Sequence, residues 1–396
     1  MVVIVNALRT AIGKYGGALA ATTPEDMAAT VMRNNLALSA CRPDIVDEII
    51  IGQTKQSAHT PNIARVASLI ADFPKEVSAY TVHRQCGSGM QAVHNAYMAI
   101  RTGQSEVVLA GGVESMSQAP YYMVGGRFGM NAGNTILYDS NTESQPRSQP
   151  IDKYGSFVMG ETAEYLANKY EITREEQDEF AYRSQLKAKR AIEAGQFHEE
   201  IVPIEVKEGK NGVRLFASDE FPRETSVDKL AKLTPVFQKD GSVTAGNSTG
   251  RNDGASMLLM MSEAKALSLG LTPLAIIRGI GTGGTHPMEM GLGPIPASIK
   301  ALRASSLTMQ DMGLIELNEA FAAQSLAVIK EWGITEERVN VNGGAIALGH
   351  PLGCTGARIL TTLVHEMHKR DIQYGLATLC IAGGQGIATV VERWKS

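Results

Sequence analysis

The stretch Val107-Val108-Leu109-Ala110-Gly111-Gly112 has a counterpart far along the chain in Thr378-Leu379-Cys380-Ile381-Ala382-Gly383-Gly384. Each is a short apolar, β-rich run closing on paired glycines, the form of a buried strand whose end comes close to other groups. Two such strands, each near the end of its own α/β region, predict a duplicated α/β fold. The competing explanation is chance similarity between two glycine-bearing strands.

Upstream of the first copy, β-rich runs alternate with helical patterns: Val2-Val3-Ile4-Val5, a helix opening at Thr23-Pro24-Glu25-Asp26, then Ile49-Ile50-Ile51. The alternation predicts a largely parallel sheet covered by helices. Thr23 suits the cap and Pro24 the first turn, where a missing N–H breaks no intrahelical bond. From Gly125 to Pro150 the pattern dissolves into Gly, Asn, Ser, Gln and Pro, including Gly129-Met130-Asn131-Ala132-Gly133-Asn134, and predicts an extended loop excursion. Thr173-Arg174-Glu175-Glu176 opens a further helix with a capping-box pattern, running to about Glu193 with Gly195 placed to end it. After Gly254 the alternation resumes, with strands expected from Leu274 to Arg278, Met312 to Leu317, Val339 to Val341, Gly375 to Cys380 and Thr389 to Glu392.

A chain of 396 residues exceeds one ordinary core and predicts two or three domains. With 44% apolar and 20% charged residues it reads as a globular protein with a large interior rather than a disordered one. The net charge of −4 offers no attraction to nucleic acid or to an anionic membrane, so an acidic ligand needs a local basic patch. No apolar run approaches the roughly 20 residues of a membrane span. Cys41, Cys86, Cys354 and Cys380 lack C-x-x-C spacing, and reduced thiols in a cytoplasmic setting are expected. Met1 leads straight into Val2 to Val5 without a basic leader, and Trp394-Lys395-Ser396 carries no address tag, so neither export nor import is expected.

Four segments hold residue types suited to chemistry. Cys86, in Gln85-Cys86-Gly87-Ser88-Gly89-Met90, falls between an expected strand from Ala79 to Val82 and an expected helix through Val93, Tyr97 and Ile100. A thiol at a helix N-terminus is expected to ionise below the free value of about 8.5, although free cysteine is also commonly buried for packing alone. His350 lies among glycines in Asn342-Gly343-Gly344-Ala345-Ile346-Ala347-Leu348-Gly349-His350-Pro351-Leu352-Gly353, a shaped loop around one imidazole; a structural histidine is the competing account. Cys380 ends a strand before Gly383-Gly384-Gln385-Gly386, at the carboxyl edge where α/β sheets bind ligands. Asn318, in Asn318-Glu319-Ala320-Phe321-Ala322, follows another strand and reads most simply as a helix cap. By residue type alone, Cys86, Cys380 and His350 are also compatible with a zinc site.

Taken together, in this order, the four segments resemble the signature stretches of the thiolase family. Gly111-Gly112-Val113-Glu114-Ser115-Met116-Ser117, Met159-Gly160-Glu161-Thr162-Ala163-Glu164 and Ala245-Gly246-Asn247 are similar to further family stretches, so the resemblance spans essentially the whole chain. It implies duplicated α/β domains in a layered αβαβα core with an inserted loop domain. Residues 1–118 with 251–270 would form the N-terminal α/β domain, 119–250 the inserted domain for coenzyme A and oligomer contacts, and 271–396 the C-terminal α/β domain.

The resemblance also implies a reaction: reversible Claisen condensation of two acetyl-CoA to acetoacetyl-CoA and CoA through an acyl-cysteine. Cys86 would be the nucleophile, His350 its base and Cys380 the base for the C–H of the second acetyl-CoA. One oxyanion hole would use His350 and a water held by Asn318, the other the backbone N–H groups of Cys86 and Ala382. Arg223, Lys232, Ser248 and Thr249 would contact CoA, and Met159, Met290 and Phe321 would line the acyl pocket. Neither a metal nor a redox cofactor is implied, CoA being substrate and product, and a homodimer or homotetramer is implied with the Gly125 to Pro150 stretch at the tetramer contact. Other activities compatible with the sequence are a degradative 3-ketoacyl-CoA thiolase for longer chains, an inactive CoA-thioester-binding protein and a condensing enzyme for carrier-protein substrates. The chain departs from many relatives at Ala382, where glycine is usual, at Val158, where histidine is common, at Thr249, where serine is common, and at Cys354, where alanine is common and packing is expected. If the loop at Ala382 needs positive φ, the residue would be strained there.

Overall fold

The computed structural model describes residues 1–130, 132–209 and 212–395; Asn131 of the predicted excursion and the terminal Ser396 lie outside the described residues. The elements that position the site are, in chain order, strand β1 (Val2–Thr10), helix α1 (Pro24–Leu38), β2 (Glu48–Gly52), α2 (Ile63–Ile70), β3 (Ser78–Val82), α3 (Ser88–Arg101), β4 (Val107–Ser115), α4 (Met159–Lys169) and α5 (Arg174–Glu193). They continue with β5 (Asn252–Ser262), β6 (Ala275–Gly284), α6 (Pro294–Ser305), β7 (Leu314–Leu317), α7 (Ala322–Trp332), α8 (Leu352–Lys369), β8 (Tyr374–Ile381) and β9 (Gln385–Arg393).

The main sheet runs β7-β8-β9-β6-β1-β5-β4-β2-β3 from edge to edge. It consists of two half-sheets joined only where Val3 and Ile4 of β1 face Ile276 and Ala275 of β6. The halves share one plan. In the first, β2 runs parallel to β4, and β5 then pairs antiparallel with β4 and with β1. In the second, β7 runs parallel to β8, and β9 pairs antiparallel with β8 and with β6. The two similar sequence stretches therefore occupy equivalent strands, β4 and β8, each fed by its own long helix, α3 or α8. The expectation of a largely parallel sheet is corrected: returning β5 and β9 make most neighbour pairs antiparallel.

Alternation along the strands sorts the side chains into layers. Val3, Val5, Leu8, Ile49, Ile51, Val107 and Leu109 pack with α1 and α2 on one outer face. Their alternates Val2, Ile4, Ile50, Val108 and Ala110 turn inward onto α3 and α8, which also meet Ala377, Leu379, Ile381 and Ile387 of the second half-sheet. Ile315, Leu317, Leu376 and Val390 face outward again onto α6 and α7. The result is the αβαβα layering expected, with α3 and α8 side by side at its centre.

Local signals act as read. Thr23 accepts from the Asp26 N–H at 3.3 Å and Pro24 opens α1. Thr173 and Glu176 form the reciprocal cap of α5, and Gly195 follows it at φ +69°. The excursion is more ordered than a plain loop, containing a small hairpin, Tyr121–Tyr122 with Tyr138–Asp139, and a helical turn, Ser140–Glu143. Val339 to Val341 is not a strand. Val339 makes only an isolated bridge to Ile315, because Asn340 turns at φ +46° and spends its side chain on Leu317 N–H and C=O at 2.9 and 2.8 Å.

Candidate active site

Cys86 and His350 occupy equivalent places, each just before the central helix of its half. Gln85 precedes the thiol at φ +45°, a left-handed conformation costly for a side chain of this kind, and Ser88 braces the turn by accepting from Arg84 N–H at 2.8 Å and donating to Gln85 C=O at 2.6 Å. Gly349 sits at φ +100° and a Cβ there would lie 2.5 Å from Asn252, whose side chain accepts the His350 N–H at 3.0 Å. The glycine is what lets Asn252 hold the histidine backbone.

Cys86, His350 and Cys380 converge on one cavity of about 150 Å³. Met159, Met290, Phe321, Ala320 and Leu352 give it apolar walls, while Asn141, Ser144, Gln145 and Ser148 bring a polar wall from the excursion. Thr249 and Ala382 also face it, and Thr249 donates to Ala345 C=O at 2.8 Å. Met159, Met290, Phe321 and Cys380 belong to one apolar cluster, with Phe237 edge-on to Phe321 at 6.2 Å.

The Thr355 hydroxyl donates to Pro351 C=O at 2.8 Å, so toward His350 Nδ1, 2.6 Å away, it offers a lone pair. This fixes the proton on Nδ1 and leaves the Nε2 lone pair free. Burial lowers the imidazole to about 3, with the Arg358 charge acting in the same direction, so the ring is neutral at physiological pH.

Cys86 opens onto the cavity, yet its sulfur is enclosed closely enough that burial pushes the thiol up to about 11; the N–H of Ala382, the charge of Lys55 and the N–H of Cys86 itself pull the other way without winning. The expected lowering of the thiol below its free value is thus corrected to a rise, because desolvation outweighs the helix terminus. Cys380, one residue before the end of β8, is almost wholly covered, its thiol raised by burial and by the neighbouring Cys86. Ala382 is unstrained, since the loop takes its positive φ at Gly383 and Gly384 instead.

Asn318 lies off the cavity wall and caps no helix, since α7 begins after Phe321. Its backbone N–H bonds Thr378 C=O at 3.0 Å, while both atoms of its buried side-chain amide lack a protein partner. The neighbouring Glu319 accepts from Ser184 at 2.7 Å, Asn340 at 2.8 Å and Ile346 N–H at 3.3 Å, tying this loop to α5 and to the loop before His350.

Arg223 lies apart, on an open groove of about 460 Å³ with Tyr182, Lys189, Pro222 and Lys229. Lys232 is exposed and does not line that groove; Lys189 and Lys229 are the lysines there. Ser248 is buried and donates to Thr244 C=O at 2.7 Å, lining neither cavity. Val158 caps α4 through its backbone, donating to Glu161 at 2.7 Å, and Cys354 is fully buried with its thiol pushed up to about 12, as packing requires. Among the described residues, no group of three or more His, Cys, Asp or Glu side chains is arranged to hold a metal ion, and no helix is long and apolar enough to cross a membrane.

A thiol, an imidazole and a second thiol around a narrow cavity, carried at the ends of paired α/β halves, define a thiolase. The chain belongs to the thiolase family: residues 2–264 match the thiolase N-terminal domain and residues 271–393 the thiolase C-terminal domain. It is 50% identical to the acetyl-CoA acetyltransferase of Pseudomonas aeruginosa over 393 residues, 99% of either chain. The Bacillus anthracis acetyl-CoA acetyltransferase structure is 48% identical with a TM-score of 0.96, covering 99% of this chain and 98% of that one. Human mitochondrial 3-ketoacyl-CoA thiolase in complex with CoA is 42% identical with a TM-score of 0.94, covering 100% and 98%.

Proposed function

We propose that this thiolase is an acetyl-CoA C-acetyltransferase, joining two acetyl-CoA into acetoacetyl-CoA and CoA and running the reverse cleavage. The convergence of Cys86, His350 and Cys380 on one cavity of about 150 Å³ carries this reading. Cys86 Sγ attacks the thioester carbonyl as His350 Nε2 takes its proton, and the proton passes to the departing CoA sulfur. Starting from a neutral thiol and a neutral imidazole, the pair avoids holding two charges in a dry site before substrate arrives. Cys380, once its thiol proton has passed to the freed His350, then removes the C–H proton of the second acetyl-CoA. The carbanion attacks the acyl-cysteine, the new C–C bond forms as the C–S bond to Cys86 breaks, and the expelled Cys86 sulfur recovers its proton from His350.

The Ala382 and Cys86 N–H groups, both directed at the Cys86 sulfur, are suited to the oxygen of the acyl-cysteine. The unpartnered Asn318 amide is suited to hold a water which, with His350, receives the other oxygen. No resident cofactor is required. The groove with Lys189, Arg223 and Lys229 suits the CoA phosphates, with Thr249 along the pantetheine arm, while the covered Ser248 and the outlying Lys232 argue for lesser parts.

The proposed domain division is 1–118 with 251–270, 119–250, and 271–396. A homodimer is supported by the edge strand β3, whose outer side has no strand partner among the described residues, and a tetramer by the Tyr121–Asp139 hairpin region, where Tyr121, Val124, Phe128, Ile136 and Leu137 are exposed. Four free cysteines fit a reducing, cytoplasmic setting. Relative kcat/KM for 3-ketoacyl-CoA thiolysis tests the substrate assignment: acetoacetyl-CoA should exceed a ketoacyl chain of about ten carbons at least tenfold, since the narrow cavity excludes longer chains. The reverse ranking would assign the chain to longer substrates.

A further inference from the structure

Beneath the polar wall of the cavity lies a lysine that the reaction described above does not use. Lys55 is 7% exposed, and its Nζ donates to Ser140 C=O and to Ser144 Oγ, both at 2.7 Å. Ser144 lines the same cavity as Cys86. Both acceptors are neutral oxygens, and Lys55 forms no ion pair with a carboxylate among the described residues, so its field is not cancelled at close range.

The carboxylate bonded to the Lys55 backbone is already occupied by other donors. Glu114 accepts the Thr54 N–H at 3.1 Å, the Thr54 hydroxyl, the Lys55 N–H at 2.9 Å and the Gly353 N–H at 2.9 Å. Glu114 thereby ties the Lys55 backbone to the first turn of α8, just past His350.

We propose that Lys55 is a positioning residue for acyl transfer at Cys86: its buried ammonium fixes the Ser140–Ser144 wall of the cavity, and its charge favours the thiolate form in which Cys86 attacks. The charged and titratable groups around the pair are known. Lys55 pulls the Cys86 thiol down while Glu114 pushes it up, with Cys380 and His350 on the same cavity; Lys55 itself faces Glu114, Asp139, Arg251 and Cys86. Burial lowers the Lys55 ammonium from its ordinary value, so it discharges at a lower pH than a surface lysine would. Removing the charge leaves only the Ala382 and Cys86 N–H groups to offset burial and Glu114.

The proposal rests on the acyl-transfer reading, but its test needs no substrate. The rate of Cys86 alkylation by iodoacetamide near neutrality, where Lys55 still carries its charge, followed by mass spectrometry, reports the thiolate fraction directly. Lys55→Met should slow it about tenfold, in line with loss of a nearby opposite charge. Lys55→Arg, which keeps a cation, should leave it near the wild-type rate. Kinetics with acetoacetyl-CoA should show kcat/KM for Lys55→Met about tenfold down near neutrality, the difference closing at higher pH as the wild-type ammonium discharges. An unmoved alkylation rate in Lys55→Met, or equal slowing in Lys55→Arg, would overturn the electrostatic role. If Lys55→Met does not fold, Ser144→Ala decides: it keeps the charge but loses one anchor, so KM should rise with the alkylation rate unmoved, and a changed alkylation rate or an unchanged KM would count against the proposal. Wild-type protein that alkylates normally but never acylates would contradict the acyl-transfer reading instead.

Discussion

Gly112→Ala should disable catalysis without touching a reacting group. Gly112 lies in β4 between the N-terminal turns of the two central helices, and a Cβ built on it would stand 2.0 Å from Gly353 C=O and 2.9 Å from Gly89 Cα. Ordinary contact begins at 3.4 Å, so the Gly353 carbonyl must retreat by about 1.4 Å. No side chain can swing aside to absorb this, because both neighbours are backbone. Gly89 lies three residues past Cys86 and Gly353 three past His350, so the displacement is transmitted to the spacing of thiol and imidazole. A misplacement of about 1 Å costs on the order of 100-fold in rate, and overpacking costs about 1–3 kcal/mol of stability. Steady-state thiolysis of acetoacetyl-CoA, with denaturation to show that the variant is folded, makes the measurement. Gly284→Ala, whose Cβ would meet nothing nearer than 3.8 Å, serves as the control with wild-type activity. A Gly112→Ala protein with kcat within about twofold of wild type and unchanged stability would refute the claim that glycine contact at the helix ends sets the site.

Arg9→Met should cost about 3–5 kcal/mol in urea unfolding, because it strands two buried carboxylates: Glu200 at 2.6 Å and Asp219 at 2.7 and 2.9 Å. A loss below about 1 kcal/mol would show that the pair relaxes into water. His94, buried against Thr389 at 3.0 Å, is lowered to about 3, below its unfolded value, so the stability it permits is complete above about pH 6.5 and is lost as pH falls toward 3. His94→Gln should therefore gain about 2 kcal/mol on wild type between pH 7 and pH 5 in paired denaturation curves; parallel pH profiles would contradict the assigned burial effect.

How far the sequence disclosed this molecule depended on whether the determining contact was local. The caps at Thr23 and Thr173 use atoms within three residues and were fully legible. The similarity of the β4 and β8 stretches reported a real equivalence in topology, but not the antiparallel return of β5 and β9, since strand direction depends on distant partners. Cys86, His350 and Cys380 were each ambiguous by chemistry beside glycines and were singled out by the family resemblance, whereas Thr355, which fixes the imidazole proton, was concealed as one more residue of a helix start. Its placement five residues past His350, in the first turn of α8, was the available signal. Asn252, Lys55 and the Asn141–Ser148 wall left no local mark, because each acts on a segment far away in the chain. The ionisation of Cys86 was misjudged for a related reason: a helix terminus is visible in sequence, but the desolvation that outweighs it is produced by the whole assembled cavity.

Acetylation of Cys86 in a Cys380→Ala variant tests the division of labour at this site most directly. Mixed with acetyl-CoA and analysed by peptide mass spectrometry, that protein should carry one acetyl group on Cys86 while forming no acetoacetyl-CoA, the first thiol working and the second step missing its base. Cys86 left unmodified, or condensation continuing without Cys380, would contradict the account.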